Sequence, residues 1–184
     1  MRISETALKN HDELFPNRKS TLAVTDLELV EVFDNFAFNE VLDYGNLDTR
    51  TRLMVILASL IASQALSEYK VMIGGTLNVG VTPVEVKEII YQAVLYVGIA
   101  KVNDFIHATN EILESRDIKL PLEGQSTTST TTRFEKGLAL TKSIFGDEMI
   151  DKMYETAPEN QIHFQRYLSA NCFGDYVIRD GINL

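Results

Sequence analysis

Cysteine, tryptophan and histidine are scarce in this chain of 184 residues, which has one cysteine, no tryptophan and three histidines. The single cysteine, Cys172, excludes an internal disulfide framework and fits a reducing compartment. No Cys-x-x-Cys pair occurs. His11, His107 and His163 are scattered, without the His-x3-His or Glu-x2-His spacing typical of metal sites. The sequence therefore predicts no metal site.

Long apolar runs are also missing. The longest extends from Leu53 to Leu66 and is interrupted by two serines and Gln64. A membrane-spanning helix needs about 20 apolar residues, so this run suits a buried core helix. The N-terminal segment lacks the apolar stretch of a secretory signal. Together these absences predict a cytoplasmic protein without a membrane partner.

Positive charge is in deficit, because the formal net charge is −9. Such a chain is a poor partner for nucleic acid or an anionic membrane surface. There is no glycine-rich phosphate loop either, since Gly74-Gly75 lies inside a helical pattern where close helix packing explains it. We therefore predict no cofactor.

The hydrophobic periodicity is helical throughout, with no convincing alternation of the kind that marks a β-strand. We predict an all-α protein with a helical unit over residues 1–116 and a linker rich in threonine and serine over 117–132. A further helical segment follows over 133–184. The predicted helices cover residues 3–15, 25–42, 49–65, 67–79, 83–97, 100–116, 133–145, 147–156 and 159–178.

The stretch Leu66–Gly98 is the most informative part of the chain. It predicts a helix that is capped by Ser67 and stopped by Gly80, then a second helix that ends at Gly98. The sequence Thr82-Pro83-Val84-Glu85 combines an N-cap threonine, a proline at the first helical position and the glutamate of a capping box. The result is a compact helical pair.

An ordered set of residues in and before this stretch resembles the carboxymuconolactone decarboxylase family, of the alkylhydroperoxidase D-like superfamily. The resemblance covers residues 30 to 113 and implies a helical bundle of that kind. It also implies a homo-oligomer, from dimer to hexamer, and a small-molecule substrate. The matching residues are Leu47 to Arg52, Glu68, Leu77, Asn78, Gly80, Thr82, Glu85, Glu88, Gln92, Tyr96 and Gly98.

The chain departs from the family pattern at the position where its decarboxylases usually carry a histidine, which is Met72 here. A thioether can neither transfer a proton nor bind a carboxylate, so Met72 is expected to fill core or line an apolar pocket. The peroxide-reducing branch needs Cys-x-x-Cys followed by a histidine in the same helix, and this chain lacks that pair.

Candidate site residues follow from helical spacing and from the family pattern. Glu68 is the predicted acid/base, and Gln64 and Met72 share its stripe at intervals of four residues. The other candidates, each with a structural alternative as a core or surface residue, are the catalytic residues Tyr96, His107 and Cys172 and the substrate-binding residue Gln92.

Three functions remain open. The first is a lyase or related enzyme acting on a small carboxylated lactone or similar acid through Glu68. The second is a peroxiredoxin-type antioxidant that reduces hydroperoxides through Cys172, which needs a thiol with a depressed pKa. The third is a non-catalytic oligomeric binding module.

The C-terminal part of the chain repeats the pattern of its beginning. Some family members carry two units in tandem, so we expect residues 133–184 to start a second unit that is cut short at Leu184. We expect this segment to pack on the first unit or on a neighbouring subunit. The aligned pairs are Leu8 with Leu138, Leu14 with Ile144, Phe15 with Phe145, Phe38 with Phe173, Glu40 with Asp175, and Leu47 with Ile182.

Overall fold

The computed structural model describes residues 2–182, and this part of the chain is helical without any β-strand. The prediction of an all-α protein is confirmed. None of the helices described has the length and hydropathy that crossing a bilayer requires. The α-helices are α1 (Glu5–Leu14), α2 (Leu22–Thr25), α3 (Leu27–Asn35), α4 (Val41–Asp43), α5 (Thr49–Ala62), α6 (Leu66–Asn78), α7 (Pro83–Val97), α8 (Ile99–Ser115), α9 (Arg133–Phe145), α10 (Asp147–Glu155) and α11 (Ile162–Tyr167). Two π-helical segments, Phe36–Glu40 and Leu168–Val177, continue directly from α3 and α11.

The main core lies between α5, α6, α7 and α8. Tyr69 is fully buried there, with its ring 5.0 Å from that of Phe105 in an edge-to-face arrangement. Its hydroxyl is 2.7 Å from Thr109 Oγ1, which provides the hydrogen bond that a buried phenol requires. Each fully buried aliphatic or phenylalanine side chain of this core contributes roughly 1.5–3 kcal/mol to the free energy of folding.

A side-chain cap sets the start of three helices, α1, α5 and α7. Thr82 and Glu85 form a reciprocal capping box at the start of α7, and Asp48 accepts a hydrogen bond from the backbone of Thr51 at the start of α5. The predicted Ser67 cap is wrong, because α6 already begins at Leu66. The chain turns through Gln64, whose φ of 60° ends the preceding helix earlier than expected.

We call residues 5–43 the first lead-in, because they precede the helices of the main core. Its helix α1 packs over α6. Phe15 is only 6% exposed and its ring lies against Gly75, where a Cβ atom would overlap it. Asn78 Nδ2 donates a 2.8 Å hydrogen bond to the carbonyl of Leu14. Leu14, Phe15 and Leu53 form a second buried cluster beside the main core.

The second lead-in, residues 133–182, is held together by close backbone contact between α9 and the π-helix 168–177. A Cβ atom at Gly137 would overlap the Ser169 carbonyl oxygen, and one at Gly174 would overlap the Arg133 carbonyl oxygen. The Arg133 guanidinium also forms a two-pronged ion pair with Asp175. Glycine at both positions is therefore required by the approach of the two helices.

Candidate functional site

A cavity of about 420 Å³ lies between α7, α8, the connector of residues 118–132 and the end of the second lead-in. Helix α7 supplies one face of it through Val84, Lys87, Glu88 and Tyr91, whose spacing of three and four residues places them side by side. The remaining lining residues are Asn110 and Glu114 of α8, Leu120 to Gln125 of the connector, and Arg179.

The connector forms the outer wall of this cavity and is fastened to the second lead-in. The Asp180 backbone N–H donates to the Gln125 carbonyl at 3.1 Å. Thr127 Oγ1 donates to the carbonyl of Ile178 at 3.0 Å. Thr128 Oγ1 donates to the carbonyl of Gly174 in the second lead-in at 2.7 Å. The segment is thus an ordered strap rather than a free linker.

Lys87 is a buried cation without a carboxylate partner in the described part of the chain. The residue is 8% exposed, and its Nζ donates a hydrogen bond to Asn110 Oδ1. It takes part in no ion pair among residues 2–182. Burial lowers the pKa of Lys87, because desolvation disfavours its charged form. An anion entering the cavity would supply the missing counter-charge.

Glu88 is buried beside Lys87, but it is neutralised by Arg179. The Arg179 Nε and an Nη donate to the two oxygens of Glu88 at 2.7 and 2.9 Å. This hydrogen bonding raises the pKa of Arg179. The same guanidinium lies 5.4 Å from the ring centroid of Tyr91, and Lys87 Nζ lies 6.0 Å from that centroid. Both cations therefore flank one aromatic ring.

The charges and the apolar groups of the cavity are separated in space. Inside, Lys87 and Arg179 against Glu88 leave one net positive charge. At the rim, Glu114 and Glu123 are solvent-exposed. Val84, Leu120 and Leu122 are partly buried and provide apolar lining. This arrangement suits a small acid with one carboxylate directed inward and an apolar body.

The predicted residues of α6 do not line this cavity. Glu68 lies exposed in the first turn of the helix, where its charge complements the helix dipole. Met72 is partly buried and packs against both hydrophobic clusters, as a core residue does. Gln64 precedes the helix, with its Nε2 donating to the carbonyl of Ile61.

The other predicted residues are dispersed over the molecule. Tyr96 is 81% exposed, and His107 is exposed on α8. Gln92 Nε2 donates to the Tyr176 carbonyl at 2.5 Å and so joins α7 to the second lead-in. Cys172 is partly buried, and this burial raises the pKa of its thiol. A raised pKa lowers the thiolate fraction that peroxide chemistry needs.

Sequence reasoning missed the two cations of the cavity, Lys87 and Arg179. One signal was available for the first, because Lys87 and Glu88 are adjacent charged residues between Val86 and the apolar Ile89-Ile90. No local signal points to Arg179, since it lies 91 residues from its partner Glu88. No cluster of metal-ligating side chains occurs in the described part of the chain.

In a comparison with known families, residues 28–111 match the Carboxymuconolactone decarboxylase family. The matched segment runs from α3 through most of α8 and includes Lys87, Glu88, Tyr91 and Asn110. The strap and Arg179 lie outside it. The predicted family resemblance and its alkylhydroperoxidase D-like helical fold are thereby confirmed. A search of curated proteins found no match.

Proposed function

We propose, from the match of residues 28–111 to the carboxymuconolactone decarboxylase family, that the protein binds and transforms a small carboxylated lactone or related acid. The cavity between α7, α8 and the strap is the proposed site. Its volume of about 420 Å³ falls in the range of small-molecule pockets.

The observation that carries this proposal is the buried Lys87, which forms no ion pair with any carboxylate of residues 2–182. Burying an unpaired charge is costly, and proteins retain such groups where a ligand or a reaction uses them. A ligand carboxylate at Nζ would form a charge-assisted hydrogen bond and complete the coordination of the ammonium. The ring of Tyr91 and the leucines of the strap would contact the apolar body.

The chemistry of decarboxylation assigns a second task to the same site. The bond between the carboxylate and the carbon skeleton breaks, carbon dioxide leaves, and the electron pair moves into the lactone carbonyl system. A proton must then reach carbon. Lys87, whose pKa is lowered by burial, can deliver it as a general acid. The proposal of Glu68 as acid/base stays a prediction, to be compared directly with Lys87.

The test is calorimetric titration with a carboxylated γ-lactone and with its methyl ester, which lacks the charge. We expect the wild type to bind the acid and to reject the ester. Lys87→Met should weaken binding of the acid by roughly tenfold to a hundredfold, because hydrogen bonds to charged groups are worth about 1.5–3 kcal/mol. Lys101→Met, an exposed site on α8, is the matched control.

Carbon-13 NMR detects release of carbon dioxide from the bound acid and so distinguishes a lyase from a non-catalytic binding module. Turnover in the wild type that disappears in Lys87→Met identifies the lyase. Loss of turnover in Glu68→Gln with intact binding would return the acid/base role to Glu68. Binding without turnover would identify a non-catalytic module. Equal affinity of Lys87→Met and wild type would overturn the proposed site.

A further inference from the structure

The second lead-in contributes a charged residue to a cavity whose two other buried charged groups, Lys87 and Glu88, come from the matched segment of residues 28–111. Arg179 is held on this lead-in, while Glu88 and Lys87 lie on α7. The side chains of Arg179 and Glu88 are 18% and 3% exposed, so the pair is shielded from water. Shielded charges act strongly on one another and on any ligand beside them.

We propose that Arg179 is a positioning residue that neutralises Glu88 and thereby keeps Lys87 free for an acidic ligand. This inference rests on the proposed function of the cavity. It assigns to the second lead-in a role in ligand binding by the first unit, beyond packing against it.

The reasoning follows from the charges in the cavity. With Arg179 present, the interior carries one net positive charge, and among residues 2–182 the ammonium of Lys87 has only Asn110 as a hydrogen-bond partner. Without Arg179, Glu88 would be a bare carboxylate in the same cavity. It would cancel the charge of Lys87 and repel an entering carboxylate.

The neighbouring contacts hold Arg179 in this position. Gly181 packs so closely on Glu88 that a Cβ atom there would overlap the glutamate side chain. The backbone of Asp180 is bonded to Gln125 of the strap at 3.1 Å. The guanidinium faces the Tyr91 ring at 5.4 Å. The ion pair is thus fixed from three sides.

The experiment is titration of the full chain with the carboxylated γ-lactone, using variants that separate charge from packing. Arg179→Met should lower the affinity about tenfold or more, because it leaves a buried carboxylate unpaired. The double variant Glu88→Gln with Arg179→Met removes both charges and should recover most of the affinity. Arg133→Met breaks the other two-pronged ion pair of the second lead-in, away from the cavity, and should bind as the wild type does.

Recovery in the double variant is the result that a purely tethering role of Arg179 would not produce, because the tether to α7 is absent there as well. Affinity of Arg179→Met equal to the wild type would overturn the inference, and so would a double variant as weak as Arg179→Met. Failure of this inference can be distinguished from failure of the proposed function. If the proposed function is wrong, Lys87→Met binds the acid as the wild type does. Circular dichroism of each variant checks that the helices remain folded.

Discussion

The two lead-ins build the same aromatic contact with different sequences. In the first, the rings of Phe15 and Phe38 lie 6.4 Å apart at an interplanar angle of 84°. In the second, the rings of Phe145 and Phe173 lie 6.0 Å apart at 88°. These are the residue pairs that the sequence alignment equates, and both join the end of a helix to a π-helical segment. An edge-to-face pair of phenylalanines therefore forms in both segments.

The lead-ins differ in what covers the contact. Phe15 is 6% exposed because it lies against Gly75 of α6, whereas Phe145 is 49% exposed. The second lead-in instead attaches its far end to α7 through Arg179 and the Tyr176 carbonyl. The first segment thus provides a hydrophobic cover for α6, whereas the second contributes to the polar wall of a cavity.

The largest difference between the two lead-ins is expected in the free energy of unfolding when Phe15 or Phe145 is replaced by alanine. Phe15→Ala should lower the free energy of unfolding by about 3–5 kcal/mol, the usual cost of emptying a buried aromatic site. Phe145→Ala should cost less than about half of that, because half of the side chain already contacts water. Urea unfolding followed by circular dichroism measures both. Equal costs would mean that Phe145 is covered in solution.

A smaller effect is expected where the helices of each lead-in touch. At the alignment offset of Phe15 and Phe145, Gly137 corresponds to Ala7, and both are buried. Gly137→Ala forces a methyl group into the Ser169 carbonyl and should cost about 1–3 kcal/mol. The reverse change, Ala7→Gly, should cost only about 0.5–1 kcal/mol through backbone entropy.

Thermal unfolding gives the size of each change, and hydrogen exchange shows where it acts. Faster exchange confined to α9 and the following helices is expected for Gly137→Ala. A neutral Gly137→Ala would contradict the close approach of α9 and the π-helix.

Much of the fold could be predicted because its signals are local. The Thr82–Glu85 capping box and the Asp48 cap each depend on residues three apart, and both are present as expected. The Ser67 cap failed because the left-handed turn at Gln64 comes earlier, and propensity alone does not reveal which of several polar residues ends a helix.

The site was less predictable because its charges come from distant parts of the chain. Helical spacing places Glu68 and Met72 on one stripe, yet it does not say that the stripe runs from solvent into core. The pairing of Glu88 with Arg179 needs the second lead-in folded against α7, a contact across 91 positions. Lys87 alone could have been flagged, as a lysine within a buried helical face.

The smallest effect is expected at Cys172, which stands where the first lead-in has Ala37 at the offset of Phe38 and Phe173. Cys172→Ala should change the free energy of unfolding by no more than about 0.5–1 kcal/mol, because the side chain is only partly buried. Burial raises the pKa of the thiol, so at neutral pH the thiolate is scarce. Hydroperoxide consumption with a thiol donor should therefore be at background in both the wild type and the variant. A clear wild-type rate that disappears in Cys172→Ala would instead establish peroxide reduction by the second lead-in. Cys172 would then be the main functional difference between the first and the second lead-in.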